Sequence, residues 1–210
     1  MTKLRYDVAT NSPAHRQQTF VIIKPDGVQR SLVGDVISRF ERAGLKIVAM
    51  KMSVPSIENL TKHYGKSDQW CIEKGQKIYD KITDGGKTPE KSALEYGRGI
   101  VNALLGYMSA SPVVMMVLEG NESVAVVRKL VGGTEPKTSD VGTIRGDYST
   151  DSYNIANDDD RAVRNLIHCT EFPEESQGEI DIWFSDEELV KYNHVNEAIL
   201  YSSTLTGYLD

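Results

Sequence analysis

Apolar residues fall along the chain in short blocks of two kinds. Residues 19–25, Thr-Phe-Val-Ile-Ile-Lys-Pro, are a brief apolar run closed by Pro-Asp-Gly, which predicts a buried strand feeding a turn. Val33, Val36, Ile37 and Phe40 follow at i, i+3, i+4 and i+7, one face of an amphipathic helix that Gly44 ends. Residues 45–52 alternate as LKIVAMKM, a half-buried strand. Ile57, Leu60 and Tyr64 suggest a short helix. Ile100, Val101, Leu104, Leu105 and Met108 form a longer helical stripe. Residues 112–118 repeat the buried-strand pattern. Val124, Val127 and Val131 predict a helix closed by Gly132-Gly133, and residues 165–170 a last short strand. Ser185-Asp-Glu-Glu188 is a capping box, in which serine caps a helix and glutamate reaches back to the serine N–H.

The order strand, helix, strand, helices, strand, helix, strand is a split βαβ pattern. It predicts an α+β, ferredoxin-like (βαββαβ) antiparallel sheet with helices on one face. Residues 1–17 are polar and without period, an expected N-terminal arm. Residues 18–210 read as a single domain carrying two surface insertions. One is polar, glycine-bearing residues 65–97, with 84–89 as its loop, and the other is 149–161. The tail, 189–210, is mixed and is expected to wrap the surface or a partner. Nothing repeats at a fixed period, which argues against a solenoid.

Composition narrows the class. At 40% hydrophobic and 26% charged residues, 210 residues can bury a core, and wholesale disorder is excluded. No apolar run nears the ~20 residues that cross a bilayer. The net charge of −6 argues against a nucleic-acid or anionic-membrane binder. The first residues carry no signal-peptide pattern, and Cys71 and Cys169 lack metal-ligand spacing. Both read as reduced thiols of a cytoplasmic protein. Cys169 beside His168 is a poor nucleophile pair, because neighbours on a strand point to opposite faces.

Candidate chemistry starts with absences. There is no Walker loop, no complete dinucleotide fingerprint (Gly97-Arg-Gly99 is followed by Asn102), no H-E-x-x-H, no G-x-S-x-G and no protein-kinase set. What remains is phosphate-suited. Lys24 ends a strand, Arg128 lies on the helix leading into Gly132-Gly133-Thr134, and Arg145 sits in Gly142-Thr-Ile-Arg-Gly146. Glycines admit close backbone approach and the cations give charge-assisted bonds. Each alone is a weak signal and reads first as a solvated loop. His168 lies in an apolar setting, Leu166-Ile-His-Cys169, where a satisfied core histidine is one reading. A phosphoryl-accepting imidazole is the other, if one nitrogen is held by an acceptor, for which Glu179 is available.

Six motifs occur together and in order: Lys24-Pro-Asp-Gly-Val-Gln-Arg30, His63-Tyr64, Ser111-Pro-Val-Val, Gly133-Thr-Glu-Pro136, Gly142-Thr-Ile-Arg-Gly-Asp147 and Arg164-Asn-Leu-Ile-His168. In this the sequence resembles the nucleoside diphosphate kinases, over roughly 18–64, 98–148 and 162–192. The resemblance implies a ping-pong phosphotransferase that moves a γ-phosphoryl group from a nucleoside triphosphate, typically ATP, to His168 and on to a nucleoside diphosphate. It implies Glu179 as the carboxylate fixing the imidazole tautomer, with the Thr170 hydroxyl bonding that carboxylate. Lys24 and Tyr64 are implied at the transferred phosphoryl, Asn165 at the ribose 3′-hydroxyl, and Arg128, Thr134 and Arg145 at the phosphates. Mg²⁺ is implied on the nucleotide, with no protein metal site. The expected partners are nucleoside di- and triphosphates and further copies of the chain, a hexamer before a dimer or tetramer, with Pro136 in the contact loop. The segment after Tyr64 is longer than the family's, which leaves Trp70 as the aromatic for the base. The stretch between Asp147 and Arg164, with its Asp158-Asp-Asp160, is also longer, and Glu171 replaces a small polar residue. The readings from other classes are a nucleotide-binding regulatory or scaffold protein on the same fold, and a histidine phospho-relay or nucleic-acid-acting protein. The acidic balance argues against nucleic acid.

Overall fold

The computed structural model of the chain describes residues 15–201. The expected arm thus lies largely outside the described residues, and its last two, Arg16 and Gln17, already belong to a strand. The elements run β1 (Arg16–Ile23), α1 (Pro25–Gln29), α2 (Val33–Arg42), β2 (Lys46–Ser53), α3 (Ile57–Tyr64), α4 (Asp68–Asp84), α5 (Ala93–Ser109), β3 (Val113–Asn121), α6 (Ser123–Val131), α7 (Ile144–Tyr148), α8 (Tyr153–Asp158), β4 (Ile167–Cys169), α9 (Ser176–Trp183) and α10 (Glu197–Leu200), with three single 3₁₀ turns between them.

The four strands form one antiparallel sheet in the order β2-β3-β1-β4, the ferredoxin-like arrangement expected. Successive side chains of β1 face opposite ways, so one strand seeds two cores. Val21 and Ile23 pack with Val36 and Phe40 of α2 and Val127 and Val131 of α6. Phe20 and Ile22 pack with Leu60 and Tyr64 of α3, Met108 of α5, and Ile180 and Trp183 of α9. The two helices of the split βαβ unit, α2 and α6, therefore share one face, as expected. The other face is not left bare, because α3, α5 and α9 cover it. Central strands β1 and β3 accordingly read as continuous apolar runs, whereas edge strand β2, expected to alternate, is buried over its first half and exposed toward its end. A bulge at Val48 interrupts its pairing with β3, and the Val48 carbonyl instead accepts from Val190 N–H at 2.8 Å. The described part of the tail thus folds back on β2.

Residues 65–97, expected as the first insertion, fold largely into a helical hairpin, with α4 and the start of α5 joined by residues 85–92, which overlap the expected loop. Ser67 caps α4 by accepting from Trp70 N–H, and Ser92 and Glu95 form a capping box on α5. The apolar stripe of α4 is thin because the helices meet through glycine. A Cβ on Gly75 would lie 1.7 Å from the Ala93 carbonyl oxygen, and one on Gly97 1.9 Å from that of Cys71. The second insertion carries the short α8, held by Asp151, which accepts twice from Arg161 (2.7 and 3.0 Å) and from Arg164 N–H at 2.7 Å. No helix among the described residues is long and apolar enough to cross a membrane.

Candidate active site

β4 is three residues long and pairs with the end of β1, His168 standing opposite Ile22. Opposed residues share a face, so His168 projects toward α3 and α9 while Ile167 and Cys169 enter the α2/α6 core. The turn before β4 is unusual. Leu166 holds a left-handed backbone, φ +65°, which a branched side chain adopts only under constraint. Its N–H donates to Asp26 Oδ2 (3.3 Å) and its carbonyl accepts from Lys24 N–H (2.8 Å). Asp26 is held in turn by the Tyr107 hydroxyl of α5. The Lys-Pro-Asp-Gly turn thereby fixes the entry to β4.

Around His168 the predicted carboxylate is in place. Its Nε2 lies 3.0 Å from Glu179 Oε1, and the Thr170 hydroxyl donates to Glu179 Oε2 at 2.7 Å. Burial works to raise the Glu179 carboxyl, but the bond from His168, the electrostatic pull of the two histidine rings and the bond from Thr170 outweigh it and hold the group below the usual carboxylate range. Glu179 is thus an anion facing the imidazole. His168 Nδ1 has no hydrogen-bond partner among the described residues. Tyr64 packs its ring 5.7 Å from His168, and its buried hydroxyl is unpartnered. Burial and the Glu179 charge push that phenol above its ordinary range.

The basic residues divide. Lys24 Nζ, buried at the end of β1, donates to Asn165 Oδ1 at 2.6 Å, and Asn165 Nδ2 donates to the Thr134 carbonyl at 2.9 Å. This joins three predicted residues in one chain of bonds. Burial, then repulsion from Arg145, lowers the Lys24 ammonium to about 7. Arg145 is engaged more fully than sequence suggests. It donates to the carbonyls of Asn165 (3.3 Å), Gly132 and Gly133 (3.0 Å each) and Ile167 (2.7 Å), tying the glycine turn after α6 to β4. Arg128 is exposed and pairs with Glu171 at 3.5 Å, while Thr134 lies exposed on its loop. Trp70 lies in the first turn of α4, half-buried, with the ammonium groups of Lys66 and Lys74 at 5.9 and 5.7 Å from its ring centre.

Sequence reasoning named His63 and Asp26 within motifs without giving either a role, and passed over Trp183 and Tyr107. His63 Nε2 lies 3.1 Å from His168 Nε2 and 3.7 Å from Glu179 Oε1, and Trp183 Nε1 donates to His63 Nδ1 at 3.2 Å. One signal was available, since Trp183 follows Glu179 by four residues and so shares its helix face. Three ligand atoms this close could surround a tetrahedral cation. Trp183 opposes that use, because its N–H leaves the neutral His63 ring protonated on Nε2, the atom that would have to bind. A cavity of about 880 Å³ at the opposite end of β1 offers no rival centre. Four of its charged side chains already pair with one another, Arg16 with Glu119 at 2.9 Å and Lys46 with Glu197 at 3.0 Å.

The family profile described as nucleoside diphosphate kinase matches residues 17–84 and 93–189, leaving out only the α4–α5 turn between them. A nucleoside diphosphate kinase of Pyrobaculum aerophilum is 45% identical over 83% of this chain and 98% of its own, and one of Borreliella burgdorferi is 40% identical over 88% and 97%. The crystal structure of a Pyrobaculum aerophilum NDP kinase superposes with a TM-score of 0.77 at 44% identity, covering 84% of this chain and all of that one. A transition-state mimic of the Borrelia burgdorferi enzyme with bound vanadate and ADP superposes at 0.73 and 39% identity, covering 90% and 98%. With a profile spanning most of the chain and relatives at this identity covered almost end to end, the chain belongs to the nucleoside diphosphate kinase family, a family of phosphotransferases.

Proposed function

We propose that the chain works as a ping-pong kinase with His168 as its phosphoryl carrier. The observation that carries this is the imidazole itself, with Nε2 held by the Glu179 anion at 3.0 Å and Nδ1 left without a partner among the described residues. A neutral ring with its proton on Nε2 keeps a lone pair on Nδ1. That lone pair attacks the γ-phosphorus of a nucleoside triphosphate, the Nδ1–P bond forms, and the bond to the bridging oxygen of the departing diphosphate breaks. The ring gains positive charge as it reacts, and Glu179 offsets it. A nucleoside diphosphate then enters the same site and its terminal oxygen takes the phosphoryl group back.

Phosphoryl transfer spreads negative charge over oxygens, so the protein's work is mostly placement and positive charge. Lys24 and the unpartnered Tyr64 hydroxyl serve the transferred group. Arg128, released from Glu171, joins Arg145 and the Thr134 hydroxyl on the remaining phosphates, with Arg145 also keeping the glycine turn in place. Asn165, already bonded to Lys24, reaches the ribose 3′-hydroxyl. Mg²⁺ arrives as part of the nucleotide substrate. Trp70, on the helix that follows α3, is the aromatic for the base. The free, buried Cys71 and Cys169 support a cytoplasmic reading. Assembly into a homo-oligomer, a hexamer before smaller forms, is supported by the apolar surface of edge strand β2, where Met50 and Met52 are more than half exposed. Light scattering of the purified chain reads that mass directly.

The test of the carrier is a single turnover. The protein is mixed with γ-labelled ATP and Mg²⁺ without acceptor, then chased with GDP. Acid-labile, base-stable label approaching one per chain, lost on the chase and absent in His168→Ala, is the expected result. Absence of label while ATP still binds would overturn the carrier and favour a nucleotide-binding regulatory protein.

A further inference from the structure

His63 is the least exposed polar ring of the site, its side chain 1% accessible. Ring centroids of Tyr64, His168, Phe20 and Trp183 surround it at 4.4, 4.5, 5.6 and 5.8 Å. Indole Nε1–H can only donate. Facing His63 Nδ1 at 3.2 Å, it requires a lone pair there, which places the proton of the neutral ring on Nε2. His63 therefore presents a hydrogen, not an acceptor, to His168 Nε2 and Glu179 Oε1.

Two consequences follow. The Nε2 proton of His168 has one acceptor, Glu179, whereas the other His63 tautomer would offer a second and draw that proton away. Both N–H groups then converge on Oε1, the His63 one more loosely at 3.7 Å. Further, a charged His63 would need a hydrogen on Nδ1, pointed at the Trp183 N–H. The indole so excludes an imidazolium 3.1 Å from the ring that must itself become positive during attack. The other groups around His63 act in known directions. Burial and His168 lower its proton affinity to about 3, Glu179 opposes them, and Lys66 and Lys24 add to the lowering. Tyr64 is held as the neutral phenol.

We propose that His63 is a positioning residue for the phosphoryl acceptor, fixed by Trp183 as the neutral Nε2–H tautomer so that it offers the His168 Nε2 proton no acceptor in competition with Glu179. This rests on His168 as the acceptor.

The experiment is ¹⁵N-histidine NMR on the full chain, whose four histidines can be assigned by single substitution, paired with pH–rate profiles. In the wild type the His63 Nδ1 resonance should be that of a lone-pair nitrogen and stay so down to pH 5. Trp183→Phe removes the donor and keeps an aromatic ring. His63 should then begin to protonate within the measured range, and the acid limb of kcat should move up by about one pH unit, roughly tenfold at a pH on that limb. KM should not follow it. Adding His63→Gln, an amide that cannot titrate, should return the limb to its wild-type position. A wild-type His63 that carries its proton on Nδ1, or protonates near pH 6.5, overturns the proposal. So does a folded Trp183→Phe variant with an unmoved acid limb. If that variant does not fold, the wild-type tautomer decides alone. The NMR needs no substrate, so its failure is distinct from a failure of His168 to take label.

Discussion

Lys24 should make nucleotide binding take up a proton. Its ammonium is buried beside Arg145, and in the free protein the two effects leave it at about 7. A phosphate charge placed about 4 Å away contributes about 4 kcal/mol at an effective dielectric near 20, which is about 3 pH units on the lysine. The bound value is then about 10. Below pH 7 the group is charged in both states and little happens. Between about 7 and 10 it is neutral when free and charged when bound. At pH 8 the free amine is about one-tenth protonated and the bound one almost wholly so, an uptake of about 0.9 proton per site, against about 0.1 at pH 6. The linked affinity falls about tenfold for each pH unit across that window. Titration calorimetry of a Mg²⁺–nucleotide in buffers of different ionisation enthalpy reads the uptake directly. Lys24→Met, which keeps the length and removes the titrating group, should bring it near zero at pH 8. An uptake below about 0.3 in the wild type, or one unchanged in Lys24→Met, would refute the placement of Lys24 at the phosphates.

Glu179→Gln keeps a bond to His168 but removes its charge. A charge-assisted bond of about 1.5–3 kcal/mol predicts a roughly tenfold to hundredfold fall in kcat with KM little changed, and a fall in KM alone would count against it. Arg145→Ala should weaken nucleotide binding and also the fold. It strips a donor from four carbonyls, a loss of about 2–4 kcal/mol that a lower urea midpoint would report. An unchanged midpoint would leave Arg145 with the phosphates only. Gly97→Ala places a Cβ 1.9 Å from a backbone oxygen of α4, so the hairpin must part and about 1–3 kcal/mol should be lost in the same assay. A variant as stable as wild type would show that α4 and α5 do not pack as described.

The parts of this molecule that the sequence discloses are those whose cause is local. The apolar runs of β1 and β3 and the stripe of α2 follow from burial repeating every residue or every third and fourth, and the site's lysine, arginines and histidine follow from motif order. What stays hidden depends on partners far along the chain. α4 carries a weak stripe because its contact with α5 is backbone on backbone through Gly75 and Gly97, and glycines in a polar stretch read as loop. Arg145 beside glycines suggests a phosphate site. Two other glycines, Gly132 and Gly133, present carbonyls to the guanidinium, so one residue has two tasks that composition cannot separate. His63 is the sharpest case. Adjacent to Tyr64 on a short helix, it looks like a surface histidine until Trp183, 120 positions away, donates to one nitrogen and so decides what the other presents to His168. The direction of a hydrogen bond has no sequence period. A nucleophile can therefore be found by motif, while the device that keeps its proton on the right nitrogen emerges only when the rings are placed.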